Sequence, residues 1–256
     1  MSLTRLVLRS AAPLPQVENF ERYLFIGPHP DDIEIGAGAT AAKLAAAGKK
    51  VTFLVCTDGR FGLENAPAGT MPEELAGMRQ EECLASAKSL GVEDVRFLGL
   101  SDGAFYDTDD LLRGIARVIG EVKPDLIFAP DPDVSSECHA DHRNVGEAAR
   151  RAAFFAAFPE IAEKRGAEPA DVQALAFYMT AKPNRYVKTR GLLDRQLAAL
   201  LLHKTQFPKE SEAFKSVSAY LKLRAADFGL RRLCGQAEGF RVLGRTQMHC
   251  LPEAGK

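Results

Sequence analysis

The chain has 256 residues, of which 46% are hydrophobic, enough for one large α/β domain with a buried sheet. Its 33 Lys and Arg residues balance 34 Asp and Glu residues, giving a net charge of -1. This balance argues against electrostatic capture of nucleic acid or of acidic membranes, and it favours a small, neutral molecule as the partner. We expect a single domain over residues 1–256, because no linker-like segment interrupts the chain.

The cysteines and the apolar segments bear on the compartment. Five cysteines form no CxxC pair, and an odd number suits a reducing compartment better than a disulfide framework. The amino-terminal segment carries an apolar run that Arg9 interrupts and that is too short for a signal-peptide core. No stretch approaches the roughly 20 apolar residues of a membrane span. The sequence therefore predicts a cytoplasmic protein with no membrane partner.

Strand-like apolar runs alternate with helical patterns in the first half of the chain, which is typical of βαβ units on a parallel sheet. The predicted strands are 23–27, 51–56, 95–98 and 125–129, and the predicted helices are 37–47, 72–90, 109–121 and 144–158. The later half is less regular, with strands predicted at 174–180 and 185–188 and helices at 192–206 and 211–233. We predict an α/β fold, a Rossmann-like, mostly parallel sheet flanked by helices, with additional C-terminal strands and helices.

Two clusters of imidazoles and carboxylates follow predicted strands. The sequence PHPDD, residues 28–32, comes directly after the first strand, and HADH, residues 139–142, lies beyond the fourth. His29 and Asp32 are three residues apart in a turn stiffened by two prolines, so both can face one point while Asp31 faces another direction. If strands one and four lie side by side where the sheet order reverses, the two clusters face one another across a crevice.

These residues form the donor set of a hydrolytic zinc site. Zinc held by His29, Asp32 and His142 keeps a fourth position for water, as catalytic zinc sites do, and lowers the pKa of that water to about 7. We predict one Zn²⁺ per chain, although nitrogen and oxygen ligands accept other divalent metals too. Asp31 is then the natural general base. His139 is placed to polarise the scissile carbonyl or to protonate the leaving amine, with Asp141 holding it charged.

Four motifs, PHPDDIEIGAGAT, LVCTDG, MRQEECLASAKSLGV and CHADHRNVGEAA, occur in an order that resembles the LmbE-like or PIG-L family of zinc-dependent N-acetylglucosaminide deacetylases. The later stretches FAPDP, KPNRYV, HKTQFP and AEGFRV are most similar to the diacetylchitobiose deacetylase branch. The resemblance implies hydrolysis of the N-acetyl group of a GlcNAc-containing saccharide or conjugate, with release of acetate and a free amine. It implies the same ligands and the same base as the residue chemistry above.

The resemblance also suggests residues that contact the substrate. Arg79 and Asp102 are candidates for contacts with sugar hydroxyls, and the alternative for each is a helix-surface salt bridge or a loop cap. His249 is either an exposed tail residue or part of a neighbour's pocket, because related enzymes often assemble as oligomers; we expect a homo-oligomer. The chain departs from the family pattern at Ala140, where HPDH is usual, and at Ala39, where GxGGT is usual.

Two alternatives compete with this interpretation. Gly36 and Gly38 fit the GxGxxA dinucleotide fingerprint, and Asp58 follows at the end of the second strand, which is the pattern of an oxidoreductase. In that fold, however, the glycines follow the first strand at once, whereas here the metal cluster intervenes. Without a dinucleotide, the glycines indicate tight packing at the start of a helix, with an anion near the N-terminus of that helix. The other alternative is a non-catalytic zinc- or sugar-binding module, but such a module has no evident use for Asp31.

Overall fold

The computed structural model describes residues 7, 10–249 and 251. The strands are β1 (Arg22–Gly27), β2 (Lys50–Thr57), β3 (Asp94–Leu100), β4 (Leu126–Pro130), β5 (Ala174–Tyr178), β6 (Arg185–Lys188) and β7 (Ala237–Gly244). The α-helices are α1 (Asp32–Ala46), α2 (Pro72–Leu90), α3 (Thr108–Val122), α4 (Ala140–Phe155), α5 (Pro159–Lys164), α6 (Leu193–Leu200) and α7 (Glu212–Arg231).

The strands form a seven-stranded sheet within the described part of the chain, in the order β3-β2-β1-β4-β5-β7-β6. Strands β1 to β5 are parallel to one another, whereas β7 runs antiparallel to both β5 and β6. Because β1 lies between β2 and β4, the strand order reverses at β1, and the loops that follow β1 and β4 meet at one edge. The predicted α/β fold with a mostly parallel sheet and additional C-terminal elements is confirmed.

Two apolar layers cover the faces of the sheet. Leu24 and Ile26 of β1 belong to the layer that includes α3 and α4, whereas Tyr23 and Phe25 belong to the layer that includes α1. Alternate side chains of a strand point to opposite faces, so both faces of β1 are buried. The first cluster of predicted ligands therefore follows a strand that is buried on both faces. Among the described residues, no helix is both long and apolar enough to cross a lipid bilayer.

Two helices begin earlier than the sequence predicted. Helix α1 begins at Asp32, five residues before the predicted start, and α4 begins at Ala140, four residues before the predicted start. Polar motif residues obscured the helical pattern, although acidic residues in a first turn interact favourably with the helix dipole. As a consequence, Asp31 and His139 occupy N-cap positions, and the predicted metal ligands of the two clusters lie on or beside first turns.

Strand β7 and the short helix α5 were not predicted. The β7 pattern is interrupted by Arg241, a residue that normally marks a surface. Here the Arg241 guanidinium is buried because it donates to both carboxylate oxygens of Asp131, which follows β4. Asp131 also accepts a hydrogen bond of 2.6 Å from the Thr180 hydroxyl. Only the folded chain supplies the carboxylate partner that lets this arginine enter a central strand.

The glycines of the possible dinucleotide motif have a structural use. Helix α1 is kinked at Ala37, where φ is -154°. Beyond the kink, the backbone N–H groups of Ala39 and Thr40 donate to the Glu238 carboxylate of β7, at 3.2 and 2.7 Å. The anion expected near this helix N-terminus is thus a side chain of the protein itself. A dinucleotide phosphate would have to displace it.

Gly36 lies where α1 meets the sheet. An added Cβ would stand 2.2 Å from Cδ2 of Tyr178, whose ring is fully buried and whose hydroxyl donates to the Ile26 carbonyl. We therefore expect Gly36→Ala to lower the free energy of unfolding by about 1–3 kcal/mol, although alanine favours helix. Urea unfolding followed by circular dichroism measures the change.

Gly77→Ala is the matched control for this substitution. An added Cβ at Gly77, in α2, meets no atom within 4 Å. We expect Gly77→Ala to be neutral or stabilising by up to about 1 kcal/mol. Equal stability of Gly36→Ala and the native chain would show that the Tyr178 contact does not constrain this position.

Candidate active site

The structure brings the two sequence clusters together at the edge formed by the carboxyl ends of β1 and β4. Nδ1 of His29 lies 3.0 Å from Oδ2 of Asp32, and Nε2 of His142 lies 3.4 Å from the same oxygen. The ring centroids of the two histidines are 5.4 Å apart. Each of the three residues offers a ligand atom within 4.8 Å of the others. The residues predicted to bind one ion therefore share one place.

These separations fit a shared cation. Ligands about 2.0–2.1 Å from a tetrahedral zinc are separated from one another by roughly 3.3 Å. The distances of 3.0 and 3.4 Å from the Asp32 oxygen to the two imidazole nitrogens lie on either side of that value. Two imidazoles with one carboxylate are also the donor set of catalytic zinc sites, which keep a fourth position for water. The donor set thus fits a divalent cation with an open coordination position.

The charges of the cluster favour a positive centre. Burial acts to raise the pKa of Asp32, but the imidazoles of His142 and His29 outweigh it and hold that pKa well below its usual range. Burial opposes protonation of His29, yet hydrogen bonds to Asp141 and Asp32 raise its pKa to about 10. The pKa of His142 is also raised, because Asp32 outweighs burial. A cation that binds here replaces protons on the imidazoles, so its affinity rises with pH.

Asp141 ties the metal cluster to the loop after β3. Its buried carboxylate lies 3.1 Å from Nε2 of His29 and accepts hydrogen bonds from the backbone N–H groups of Gly103 and Ala104, at 2.8 and 2.9 Å. The Tyr106 hydroxyl donates to it at 2.8 Å. Although burial opposes ionisation, these bonds lower the pKa of Asp141 to about 2. A carboxylate on the outer nitrogen of a ligand histidine fixes which nitrogen faces the metal.

His139 lies beside the cluster and is half-exposed. Its ring centroid is 4.7 Å from that of His29 and 5.1 Å from that of His142. Burial, together with the charges of these two rings, lowers the pKa of His139. The prediction that Asp141 holds His139 charged is wrong. Asp141 lies 3.8 Å from Nδ1 of His139 and is already bonded to four closer donors, so His139 is neutral near pH 7.

Asp31 points away from the ligand cluster toward Arg79. Its Oδ2 accepts a hydrogen bond of 3.0 Å from Nη2 of Arg79, which is itself buried. Burial raises the pKa of Asp31 to about 6, although Arg79 acts to lower it. The backbone φ of Asp31 is 121°, a value that costs roughly 1–3 kcal/mol for a residue with a side chain and that concentrates at functional sites.

Both terminal nitrogens of the Arg79 guanidinium donate hydrogen bonds inside the protein, whereas its buried Nε has no partner among the described residues. Besides Asp31, the guanidinium donates to the backbone carbonyls of Pro30 at 2.7 Å and Gly59 at 2.9 Å. A helix-surface salt bridge, one of the two expectations for Arg79, is therefore wrong, because the pair is buried. Contact with a sugar hydroxyl stays a prediction. The observed contacts give Arg79 the role of holding the Asp31 carboxylate in place.

Asp102 lies in the wall of the same cleft. Its Oδ2 accepts a hydrogen bond of 3.3 Å from the backbone N–H of Phe61. Its Oδ1 is buried and has no hydrogen-bond partner among the described residues. Burial raises the pKa of this carboxyl. A free acceptor at this place supports the predicted contact with a sugar hydroxyl, which stays a prediction.

The structure does not bring His249 into the cleft of its own chain. Gly244, at the end of β7, pairs with Ala174 at the amino end of β5, the edge of the sheet opposite the metal cluster. The ring of His249, five residues further on, lies 5.5 Å from the ring of Phe154 near the end of α4. Only a neighbouring chain could use this side chain in a cleft.

A buried ionic pair behind the site was not predicted. Nε2 of His203 lies 3.2 Å from Oε1 of Glu34, and the Ser86 hydroxyl donates to the same oxygen at 2.6 Å. Burial acts to lower the pKa of His203, but Glu34 outweighs it and raises that pKa. The pair joins the first turn of α1 to the loop after α6. A signal was present in the sequence, since HKTQFP places polar residues directly after an apolar helix.

The cleft above these residues has a volume of about 330 Å³ and is open to solvent. This volume lies within the roughly 300–1,000 Å³ of small-ligand pockets. The residues at its wall include His29, Asp31, Phe61, Asp102, His139 and Gln206. The predicted base Asp31, the predicted ligand His29 and Asp102 thus line one compartment that is large enough for a sugar.

Several known proteins with similar sequences or structures are deacetylases. Residues 24–153 match the family described as PIG-L: GlcNAc-PI de-N-acetylase. Diacetylchitobiose deacetylase of Thermococcus kodakarensis is 33% identical over 237 residues, which cover 91% of this chain and 87% of that protein. The structure of N,N'-diacetylchitobiose deacetylase from Pyrococcus horikoshii superimposes with a TM-score of 0.88 and 28% identity, covering 98% of this chain and 97% of the other.

A further relative is a 1D-myo-inositol 2-acetamido-2-deoxy-alpha-D-glucopyranoside deacetylase of Streptomyces scabiei, 35% identical over 187 residues. That match covers 64% of this chain and only 57% of the Streptomyces protein. Together these likenesses define the class, an N-deacetylase and hence an amidohydrolase that acts on GlcNAc-containing substrates. The chain belongs to the PIG-L family. The predicted function is confirmed, and the oxidoreductase and the non-catalytic module are wrong.

Replacing Arg79 tests the buried pair with Asp31. In Arg79→Gln the Asp31 carboxylate stays buried without its cation, so we expect a loss of about 3 kcal/mol in unfolding free energy at pH 8. A raised folded-state pKa makes ionisation of Asp31 oppose folding as pH rises from about 4 through the folded pKa. Losing Arg79 raises that pKa further, so the loss should be smaller at pH 5.

Urea unfolding of chelator-treated protein at both pH values measures this difference. Arg96→Gln is the control, because Arg96 forms surface pairs with Asp94 and Glu121. Surface pairs contribute about 0–1 kcal/mol, so the control should change little at either pH. The same loss at pH 5 and pH 8 in Arg79→Gln would contradict the coupling to Asp31.

Proposed function

We propose that this deacetylase hydrolyses an N-acetylglucosaminide with one Zn²⁺ per chain, held by His29, Asp32 and His142. The observation that carries the proposal is the convergence of two imidazole nitrogens, at 3.0 and 3.4 Å, on one oxygen of Asp32. When bound, the ion would polarise the amide carbonyl and lower the pKa of water to about 7. The outer nitrogen of His29 is held by Asp141, which orients the ring.

Asp31 is the general base of the proposed reaction. It adjoins a ligand in sequence but faces Arg79, so its carboxylate stays free to accept a proton from the attacking water. The water oxygen bonds to the amide carbon, the carbon–nitrogen bond breaks, and Asp31 returns the proton to the leaving amine. Acetate and a free amine result. A base whose pKa lies near neutrality serves both transfers, and burial gives Asp31 a pKa of about 6.

His139 stabilises the oxygen of the tetrahedral intermediate. The half-exposed ring reaches into the cleft beside His29, and its lowered pKa keeps it neutral. A neutral imidazole donates one hydrogen bond, and a donor fixed where negative charge develops lowers the barrier. Asp141 supports the proposed metal site by holding the ring of His29, and it does not hold the ring of His139.

The substrate class follows from the relatives and the cleft. Relatives named for diacetylchitobiose and for a GlcNAc-inositol support a GlcNAc unit bearing a second group. Asp102 offers an acceptor without a partner for a sugar hydroxyl, and Arg79, the other candidate for such a contact, lines the same cleft. We extend the proposal to a cytoplasmic protein that forms one domain over residues 1–256.

Asp31→Asn separates the base from the metal ligands. Asparagine keeps the shape of Asp31 but takes no proton, so we expect acetate release to fall by about 10²–10⁴-fold while the zinc content stays the same. In Asp32→Asn we expect both zinc and activity to be lost. Acetate release from N-acetylated sugars and metal analysis of the purified proteins measure these effects.

Asp227→Asn, on the exposed side of α7, is the control and should keep both properties. Wild-type deacetylation by zinc-loaded Asp31→Asn would end the assignment of Asp31. Absence of any divalent metal from the active native protein would end the assignment of the ligands.

We further propose a homo-oligomer in which His249 closes the cleft of a neighbouring chain. The support is its position outside the cleft of its own chain. His249→Ala should then raise KM by about tenfold, and mixing it with Asp31→Asn should restore part of the activity if chains exchange. Light scattering reports the assembly. A monomeric native protein, or full activity of His249→Ala, would contradict this proposal.

A further inference from the structure

Two phenylalanines from different loops meet at the rim of the cleft. Phe61 follows β2, and Phe105 follows β3. Their ring centroids are 5.8 Å apart, and the rings are nearly perpendicular, with an interplanar angle of 80°. Phe61 is 50% exposed and Phe105 is 73% exposed. Phe61 also lines the cleft that holds Asp31 and His139, so the aromatic pair is continuous with the catalytic compartment.

Folding does not explain this pair. A single exposed aromatic ring needs no special account, but two that touch one another outside the core form an apolar surface that water must cover. Most of the surface of the two rings lies outside the apolar layers that cover the faces of the sheet. Loops at the carboxyl ends of parallel strands are also where α/β proteins bind ligands. The rings therefore form a surface suited to a ligand.

The loop that carries Phe105 is held firmly. Gly103 and Ala104 donate backbone hydrogen bonds to Asp141, and the Tyr106 hydroxyl donates to the same carboxylate. Gly103 and Ala104 both have positive φ, at 73° and 61°. These three hydrogen bonds, all within residues 103–106, fix the direction in which the Phe105 side chain leaves the loop. Because Asp141 also orients His29, the ring has a set position relative to the metal cluster.

Polar groups flank the aromatic surface. The backbone N–H of Phe61 donates to Asp102, whose other carboxylate oxygen is buried and without a partner among the described residues. The side chain of Gln206 also lines the cleft and donates to the carbonyl of Gly62, the residue that follows Phe61. A ring sugar or a cyclitol presents an apolar C–H face and a rim of hydroxyls. An aromatic surface beside fixed polar groups matches that shape.

We propose that Phe61 and Phe105 form a subsite for the ring attached to GlcNAc, a pyranose or a cyclitol, whose apolar face packs on the aromatic pair. This inference rests on the proposed function, since the acetylated unit must occupy the cleft beside Asp31. The GlcNAc unit fills the cleft, and the attached ring leaves it across Phe61 toward Phe105. The substrates are then glycosides with a ring aglycone in preference to the GlcNAc monosaccharide.

The test compares two substrates on matched variants. The ratio of kcat/KM for diacetylchitobiose to that for GlcNAc should fall about 3- to 10-fold in Phe105→Ala, the range expected from losing one aromatic contact. Phe61→Ala should lower the ratio as well, and Phe105→Trp should retain it. Leu230→Ala is the control, because Leu230 is also 73% exposed but lies on α7.

The outcomes separate the subsite from the reaction. If the native protein releases acetate from both sugars and the ratio does not change in Phe105→Ala, the subsite is wrong and the proposed function stands. A parallel loss on both substrates, or a lower molar mass of Phe105→Ala by light scattering, also overturns the subsite. The lower mass would assign the surface to a second copy of the chain. No acetate from any N-acetylated sugar would instead overturn the proposed function.

Discussion

The site depends on one buried carboxylate that accepts hydrogen bonds from several segments of the chain at once. Asp141 belongs to the first turn of α4, yet its partners are His29 from the loop after β1 and the backbone and Tyr106 of the loop after β3. No one segment satisfies it. Burial of such a charge is tolerated only when hydrogen bonds satisfy its oxygens. The three segments must therefore stay together, because separating them would leave the carboxylate without its partners. This constraint places one imidazole of the cluster before any ion arrives.

Adjacent carboxylates acquire different chemistry from their surroundings. Asp31 and Asp32 are neighbours in sequence, but burial raises the pKa of Asp31, whereas the imidazoles around Asp32 hold its pKa well below the usual range. The unusual φ of 121° at Asp31 turns the two side chains toward different partners. Paired titratable groups with separated pKa values are the general means of assigning proton transfer and charge stabilisation. The turn that joins them is therefore part of the proposed mechanism.

The sequence predicted the reactive residues of the site better than it predicted the residues that hold them in place. The motifs PHPDD and HADH identified every residue of the cluster, because ligand chemistry is local, and β4 lies beside β1 as that interpretation required. The motif HKTQFP marked His203 as a polar residue after an apolar helix, but the partners of Arg79 and His203 were not predictable, since each contact joins residues far apart in the chain. Arg241 in β7 was missed for the same reason. Long-range pairing of charges has no periodic signal in sequence.

Helix α1 shows how a shared fold takes up a different chemistry. In dinucleotide-binding folds the free N–H groups of this helix receive a pyrophosphate. Here the kink at Ala37 turns the donors of Ala39 and Thr40 to the Glu238 carboxylate, so the protein satisfies them itself. The first turn of the helix is thereby released to carry Asp32 to the metal cluster. The predicted ligands His29 and Asp32 are side chains that precede these N–H groups, which Glu238 already satisfies.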